Sequence, residues 1–109
     1  MQSYNWGQML VRYAAGGDIA GVKKALSTGH KSLSNHAGEA YWVASSKGHR
    51  SIMDLISSKY HISDNDQSTA RRQAKTYGHL DCVSQVDGIT IGSVTTYSSG
   101  NVVINIIRK

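Results

Sequence analysis

The sequence predicts a mainly α-helical stack of three helix pairs, followed by a C-terminal β-hairpin. Three observations carry this. Gly17, Gly48 and Gly78 recur at intervals of 31 and 30 residues. Apolar residues on both sides of these glycines recur at helical rather than strand spacing. After Asp87-Gly88 the chain changes to two β-branched runs around a glycine-containing turn. A fixed period near thirty residues marks a solenoid, whose units bury their apolar faces only against their neighbours.

In residues 4–14, Trp6, Met9, Leu10 and Tyr13 are spaced to share one helix face. The run Ala14-Ala15-Gly16-Gly17-Asp18-Ile19 breaks that helix, and residues 18–26 form its partner, with Val22 and Leu26 apolar and Gly29 as the stop. Residues 30–38 are polar and turn-like. The second pair spans residues 39–46 and 51–58, around Ala44-Ser45-Ser46-Lys47-Gly48-His49, with Ile52, Met53, Leu55 and Ile56 apolar. Residues 61–67 form the next polar connection. The third pair spans residues 69–76 and 81–86, around Ala74-Lys75-Thr76-Tyr77-Gly78-His79-Leu80, with Val83 and Val86 apolar.

From Ile89 two β-branched runs flank Ser98-Ser99-Gly100-Asn101, the pattern of a hairpin over residues 89–108. Val102, Ile104 and Ile106 share one face of the second run, and Val103 and Ile107 share the other with Asn105. A lone two-stranded hairpin is marginal in water. This one is expected to cap the stack, pair with a second copy through Val102, Ile104 and Ile106 to give a homodimer, or add to a partner's sheet. The division is a repeat domain over 1–87 and an extension over 88–109.

At 109 residues the chain can bury a workable core. Phe is missing, so core volume comes from Leu, Ile, Val, Met, Tyr and Trp. The single Cys82 excludes an intramolecular disulfide and points to a reducing compartment. No apolar run follows a basic start, and no stretch of about 20 apolar residues occurs, so the expectation is a cytoplasmic protein with no membrane contact. Twelve Lys and Arg against seven Asp and Glu give a net charge of +5, which favours an acidic partner, either protein or nucleic acid.

At these residues the chain resembles the ankyrin repeat, over residues 8–86. Gly48-His49 and Gly78-His79, with apolar residues behind them, match that family's break between helices. Gly17-Asp18-Ile19 is looser, with Val22, Leu26 and Gly29 in register. The family's Thr-Pro-Leu-His opening is nearly absent: Thr69 fills the Thr position, but the chain has no proline. Arg71 stands where the family places a buried Leu, Arg12 interrupts another apolar stretch, and the repeats run two or three residues short. The resemblance implies a degenerate three-repeat stack in which residues 30–38 and 61–67 are fingers. It makes His49 and His79 structural and Tyr41, in the family's Leu position, core. Trp42 falls where neighbouring repeats share contacts.

The resemblance also implies a binding surface on the fingers and the exposed side of the first helices. Carried over, it comprises Lys31, Asn35, His36 and Asn65 from the fingers. The first helices add Glu39, Ser46, Lys47, Arg72, Thr76 and Tyr77. Short ankyrin-like proteins with eroded repeats resemble those that viruses and phages direct against host factors, which implies an inhibitor or anti-defence role in a host cytoplasm. The rival class is a nucleic-acid binder using Arg71, Arg72 and Lys75, against which the chain shows no stacking platform or known motif.

No enzymatic activity, cofactor or metal is expected. His30, His36 and His61 lie in polar segments without Cys or carboxylate spacing for zinc. Asp64-Asn65-Asp66 fails as a calcium loop, because the sixth and twelfth positions are Thr69 and Lys75. They read as turn or helix-start residues instead. Cys82 falls on the apolar side of a helix beside Val83 and reads as a small core residue.

Overall fold

A computed structural model of the chain describes residues 5–94, with side chains described through Gly88. Among the described residues six helices follow one another: α1 (Trp6–Gly16), α2 (Ile19–Ser27), α3 (Ser32–Lys47), α4 (Arg50–Lys59), α5 (Asp64–Thr76) and α6 (Leu80–Val94). Among the described residues there is no strand. The odd helices stack as one layer, α1 on α3 and α3 on α5. The even helices stack as a second, α2 on α4 and α4 on α6.

Each pair turns at the repeating glycine. Gly17, Gly48 and Gly78 have φ of 72°, 82° and 79°, the left-handed region that a Cβ disfavours. The glycine N–H donates to the carbonyl three residues back, at Ala14, Ser45 and Lys75. The next N–H donates to the carbonyl five residues back, at Tyr13, Ala44 and Ala74. These are the two bonds of a Schellman stop, formed three times in one register.

That register explains the stacking. The residues through which unit two meets unit three are Gly38, Tyr41, Ser45, Gly48, Asp54 and Ser57. The Asp66 carboxylate lies over Gly38 and the His79 ring over Gly48. Ser45 Oγ donates to Ala70 O at 2.7 Å. The Tyr41 phenol donates to Gln85 Oε1. Gln85 Nε2 donates to Asp54 Oδ1 at 2.9 Å and Ser57 Oγ at 3.1 Å. On the receiving side stand small residues, Ala37, Ala40 and Ala44 in unit two and Ala70 and Ala74 in unit three, all buried. Small side chains let the helix backbones approach closely. In unit one the same positions hold Trp6, Met9 and Tyr13, all half-buried.

In unit three the six outward positions become Ser68, Arg71, Lys75, Gly78, Ser84 and Asp87, none buried. Arg71 and Asp87 pair across that end face. This accounts for Arg71 at the position where the family places a buried Leu: among the described residues the third unit ends the stack on a polar face, as in the terminal units of solenoids. Replacing the pair together, Arg71→Leu with Asp87→Leu, should restore an apolar end face. The expected result is concentration-dependent association by sedimentation, and a variant that stays monomeric at every concentration would contradict it.

Two sequence expectations are corrected. Residues 32–38 are not a finger: Leu33 and Ala37 are buried and continue the apolar stripe of Ala40, Tyr41 and Ala44 one turn earlier. Asn35 and His36 therefore lie on α3. Likewise α5 begins at Asp64, started by Ser63, whose Oγ accepts from Asp66 N at 3.1 Å and donates to Asp66 Oδ2 at 3.0 Å, a local capping arrangement. Asn65 lies in its first turn. The connections are short, 28–31 and 60–63. Helix α6 runs through residues 89–94, the segment expected to open the first strand of the hairpin. A helix already started is cheap to extend, and β propensity is a weak, context-dependent prior. The rest of that expectation, residues 95–108 with Val102, Ile104 and Ile106, lies outside the described residues.

Candidate functional site

The exposed face of α1, α3 and α5 is continuous because one register places equivalent residues side by side. Its rows are Gln8, Glu39 and Thr69; Val11, Trp42 and Arg72; Ala15, Ser46 and Thr76; and Gly16, Lys47 and Tyr77. Trp42 and Val11 are half-buried and pack on the core. The cations cluster in the last two turns of the odd helices: Arg12, Lys47, Arg72 and Lys75, all exposed. Asp64 and Asp66 lie in the first turn of α5, Lys47 and Lys75 in the last turns of α3 and α5, the ends at which the helix dipole favours each sign, while Glu39 lies midway along α3.

The predicted residues divide between this face and its margins. Glu39, Ser46, Lys47, Arg72, Thr76 and Tyr77 come together on it. Ser46 and Thr76 spend their hydroxyls on their own helices, on Val43 O at 2.7 Å and Arg72 O at 2.8 Å. Lys31, Asn35 and Asn65 are exposed near the starts of α3 and α5, away from the cationic end. His36 is half-buried, with its ring over Gly7 of α1 and Nδ1 3.8 Å from Glu39 Oε1. An open depression of about 330 Å³ lies between α1 and α3, lined by Gln8, Val11, Arg12, His36 and Glu39. Unit one thus contributes Gln8, Val11 and Arg12, which sequence reasoning missed. The signal was present: they stand 31 residues before Glu39, Trp42 and Val43.

The histidines at the glycine breaks act as packing. The His49 ring lies over Gly17 and the His79 ring over Gly48, so each locks one turn against the previous one. Tyr41 is fully buried. Burial pushes its phenol above the ordinary range, and the nearby Asp54 adds to this. The phenol therefore stays protonated and donates to Gln85.

Cys82 is fully buried. Burial first, and Asp81 second, push its thiol up to about 11. Only the thiolate is nucleophilic, so at pH 8 Cys82 should not react with a disulfide reagent until the protein unfolds. Rapid labelling of the native protein would contradict its burial. An acid whose folded pKa is raised stabilises the fold fully below its unfolded value, here 9.0, and that stability is lost as pH rises toward 11. Tyr41 acts in the same direction at higher pH. The midpoint of chemical denaturation should therefore fall between pH 9 and 11, and Cys82→Ala should flatten the fall.

Among the described residues no three His, Cys, Asp or Glu come together in a way that could hold a metal, and no helix is long and apolar enough to cross a membrane. No family model, curated protein or solved structure matches the chain.

Proposed function

We propose that the chain is a non-enzymatic docking module that binds an acidic surface of a partner protein through the exposed face of its odd helices. The observation that carries the reading is the placement of the exposed Lys47 and Arg72 in the later turns of α3 and α5 on that face, beside the half-buried Trp42 and the exposed Tyr77. Arginine and aromatic side chains are the residue types that anchor protein interfaces. Stacked units build extended surfaces of this kind. The reading keeps the resemblance to short ankyrin proteins, with an inhibitor or anti-defence role in a reducing cytoplasm as its biological form.

The nucleic-acid alternative loses one of its three cations, because Arg71 is engaged by Asp87. Binding to mixed-sequence DNA or RNA should be weak at physiological salt and fall further as salt rises. Submicromolar binding abolished by Arg72→Glu with Lys75→Glu would put that alternative first.

The docking reading is tested by affinity capture with quantitative mass spectrometry, comparing wild type with Lys47→Glu/Arg72→Glu. Both residues are exposed, so the fold should be retained, which circular dichroism verifies. The expected result is a small set of acidic proteins depleted by the variant. Identical captured sets would refute a role for this face.

A further inference from the structure

Among the described residues, the three exposed large apolar side chains all lie on one edge of the stack. They are Ile19, Tyr77 and Leu80, at 42%, 60% and 71% exposure. This is the edge of the glycine turns, which the docking face above only touches. Two register positions build it. The residue before each left-handed glycine is Gly16, Lys47 or Tyr77, and the residue two after it is Ile19, Arg50 or Leu80. The outer units thus present apolar groups, and the middle unit presents two exposed cations. The His49 and His79 rings, each seated on the preceding turn, hold the three turns side by side.

The carboxylates nearest this edge are turned onto the chain itself. Asp18 Oδ1 accepts from Gly21 N at 2.8 Å, and Asp81 Oδ1 accepts from Cys82 N at 3.0 Å. A recess of about 230 Å³ opens between Ile19 and Arg50, with Gly17, Gly48, Ile52 and Asp81 also in its lining. It is a place for a short side chain beside a guanidinium.

Packed helices lie about 8–10 Å apart, so Ile19, Arg50 and Leu80 form a row with steps of roughly that length. An α-helix rises 1.5 Å per residue, and seven residues cover about 10 Å. We propose that this turn edge docks an amphipathic helix of the partner protein, with its apolar residues on Ile19 and on Tyr77–Leu80 and a carboxylate between them on Arg50 and Lys47. The charge pattern chooses the occupant: an apolar–cationic–apolar row complements an apolar–acidic–apolar stripe. The inference rests on the docking reading for the class of partner, and it adds where the anchor lies and what shape the anchor has.

The test uses the full chain and a displayed library of randomised helical peptides of about 18 residues. Enriched peptides are synthesised and titrated against wild type, Tyr77→Ser/Leu80→Ser, Arg50→Glu and Arg72→Glu. All these side chains are exposed, and matching melting curves establish that the variants fold. The expected peptides carry two apolar residues about fourteen apart with Asp or Glu midway. Binding should weaken at least roughly tenfold in the two edge variants, and by more than in Arg72→Glu, while a further variant, Lys59→Glu, an exposed α4 cation outside both surfaces, retains it. Peptides that lose affinity only with Arg72→Glu would overturn the edge and leave the docking face standing. No enrichment, or equal binding to every variant, would also overturn it. So would loss of binding to phosphatidylcholine–phosphatidylserine vesicles in Leu80→Ser with no peptide enriched, which would make the edge a lipid contact.

Discussion

Tyr41→Ala is expected to lower stability by about 3–5 kcal/mol, the range for removing a large buried aromatic ring. Against a total of roughly 5–15 kcal/mol for a native domain, that change brings the protein close to unfolding. Tyr41 is fully buried at the middle of the stack, and its phenol ties α3 to Gln85 on α6. Tyr41→Phe separates the two contributions. It keeps the ring and removes the donor to the buried Gln85 Oε1, a loss of about 1–3 kcal/mol. Gln85 would still hold Asp54 and Ser57 through Nε2. The check is urea denaturation of both variants. Equal midpoints for Tyr41→Phe and wild type would mean that the hydrogen bond holds nothing.

Gly48→Ala is the second large effect, and Gly78→Ala is its control. Both glycines have left-handed φ, 82° and 79°, and placing Ala there costs about 1–2 kcal/mol in either case. They differ in surroundings. A Cβ at Gly48 would lie 2.9 Å from the His79 ring, whereas a Cβ at Gly78 meets nothing within 4 Å. Gly48→Ala should therefore destabilise more than Gly78→Ala. Adding His79→Ala to each variant should show coupling with Gly48→Ala and none with Gly78→Ala. Equal losses for the two glycines would mean that the ring does not press on the preceding turn.

These two expectations rest on features of unequal legibility in the sequence. The turns were legible because a left-handed stop nearly demands glycine, and three such glycines in register are hard to produce by accident. The core positions of Tyr41 and Cys82 followed from helical spacing and from the resemblance. The starts of α3 and α5 were not legible. Ser32, Ser34, Asn35 and His36, like Asp64 and Asn65, have the composition of a turn, because short polar side chains satisfy backbone groups equally well in turns and at helix starts. Burial of Leu33 and Ala37 against neighbouring helices decided α3, and that is a tertiary effect. The β-branched residues of 89–94 favour strand locally, yet α6 carries them as helix.

The candidate face was half legible. Lys47, Arg72 and Tyr77 were found through the pair before each glycine and the basic group beside it. Arg12 and Val11 were not, since unit one matches the pattern loosely. The turn edge was missed because nothing in the sequence marks Ile19 and Leu80, beside the glycine breaks, as exposed. Their exposure, 42% and 71%, becomes visible only once the turns are aligned. Arg71 looked like a cation available to nucleic acid, and its pairing with Asp87 appears only when the terminal face is built.

The docking face and the turn edge both require that the three units stack in a single register, with His49 and His79 each seated on the preceding glycine turn. Proton NMR tests it directly. The His49 ring over Gly17 and the His79 ring over Gly48 should give nuclear Overhauser contacts from the imidazole protons to the α-protons of those two glycines, with ring-current shifts at both. Gly78, with nothing within 4 Å of its Cβ position, should show neither. Contacts and shifts at Gly17 and Gly48 alone are the predicted result. Their absence, or the same signature at all three glycines, would contradict the stack and with it the face and the edge that it builds.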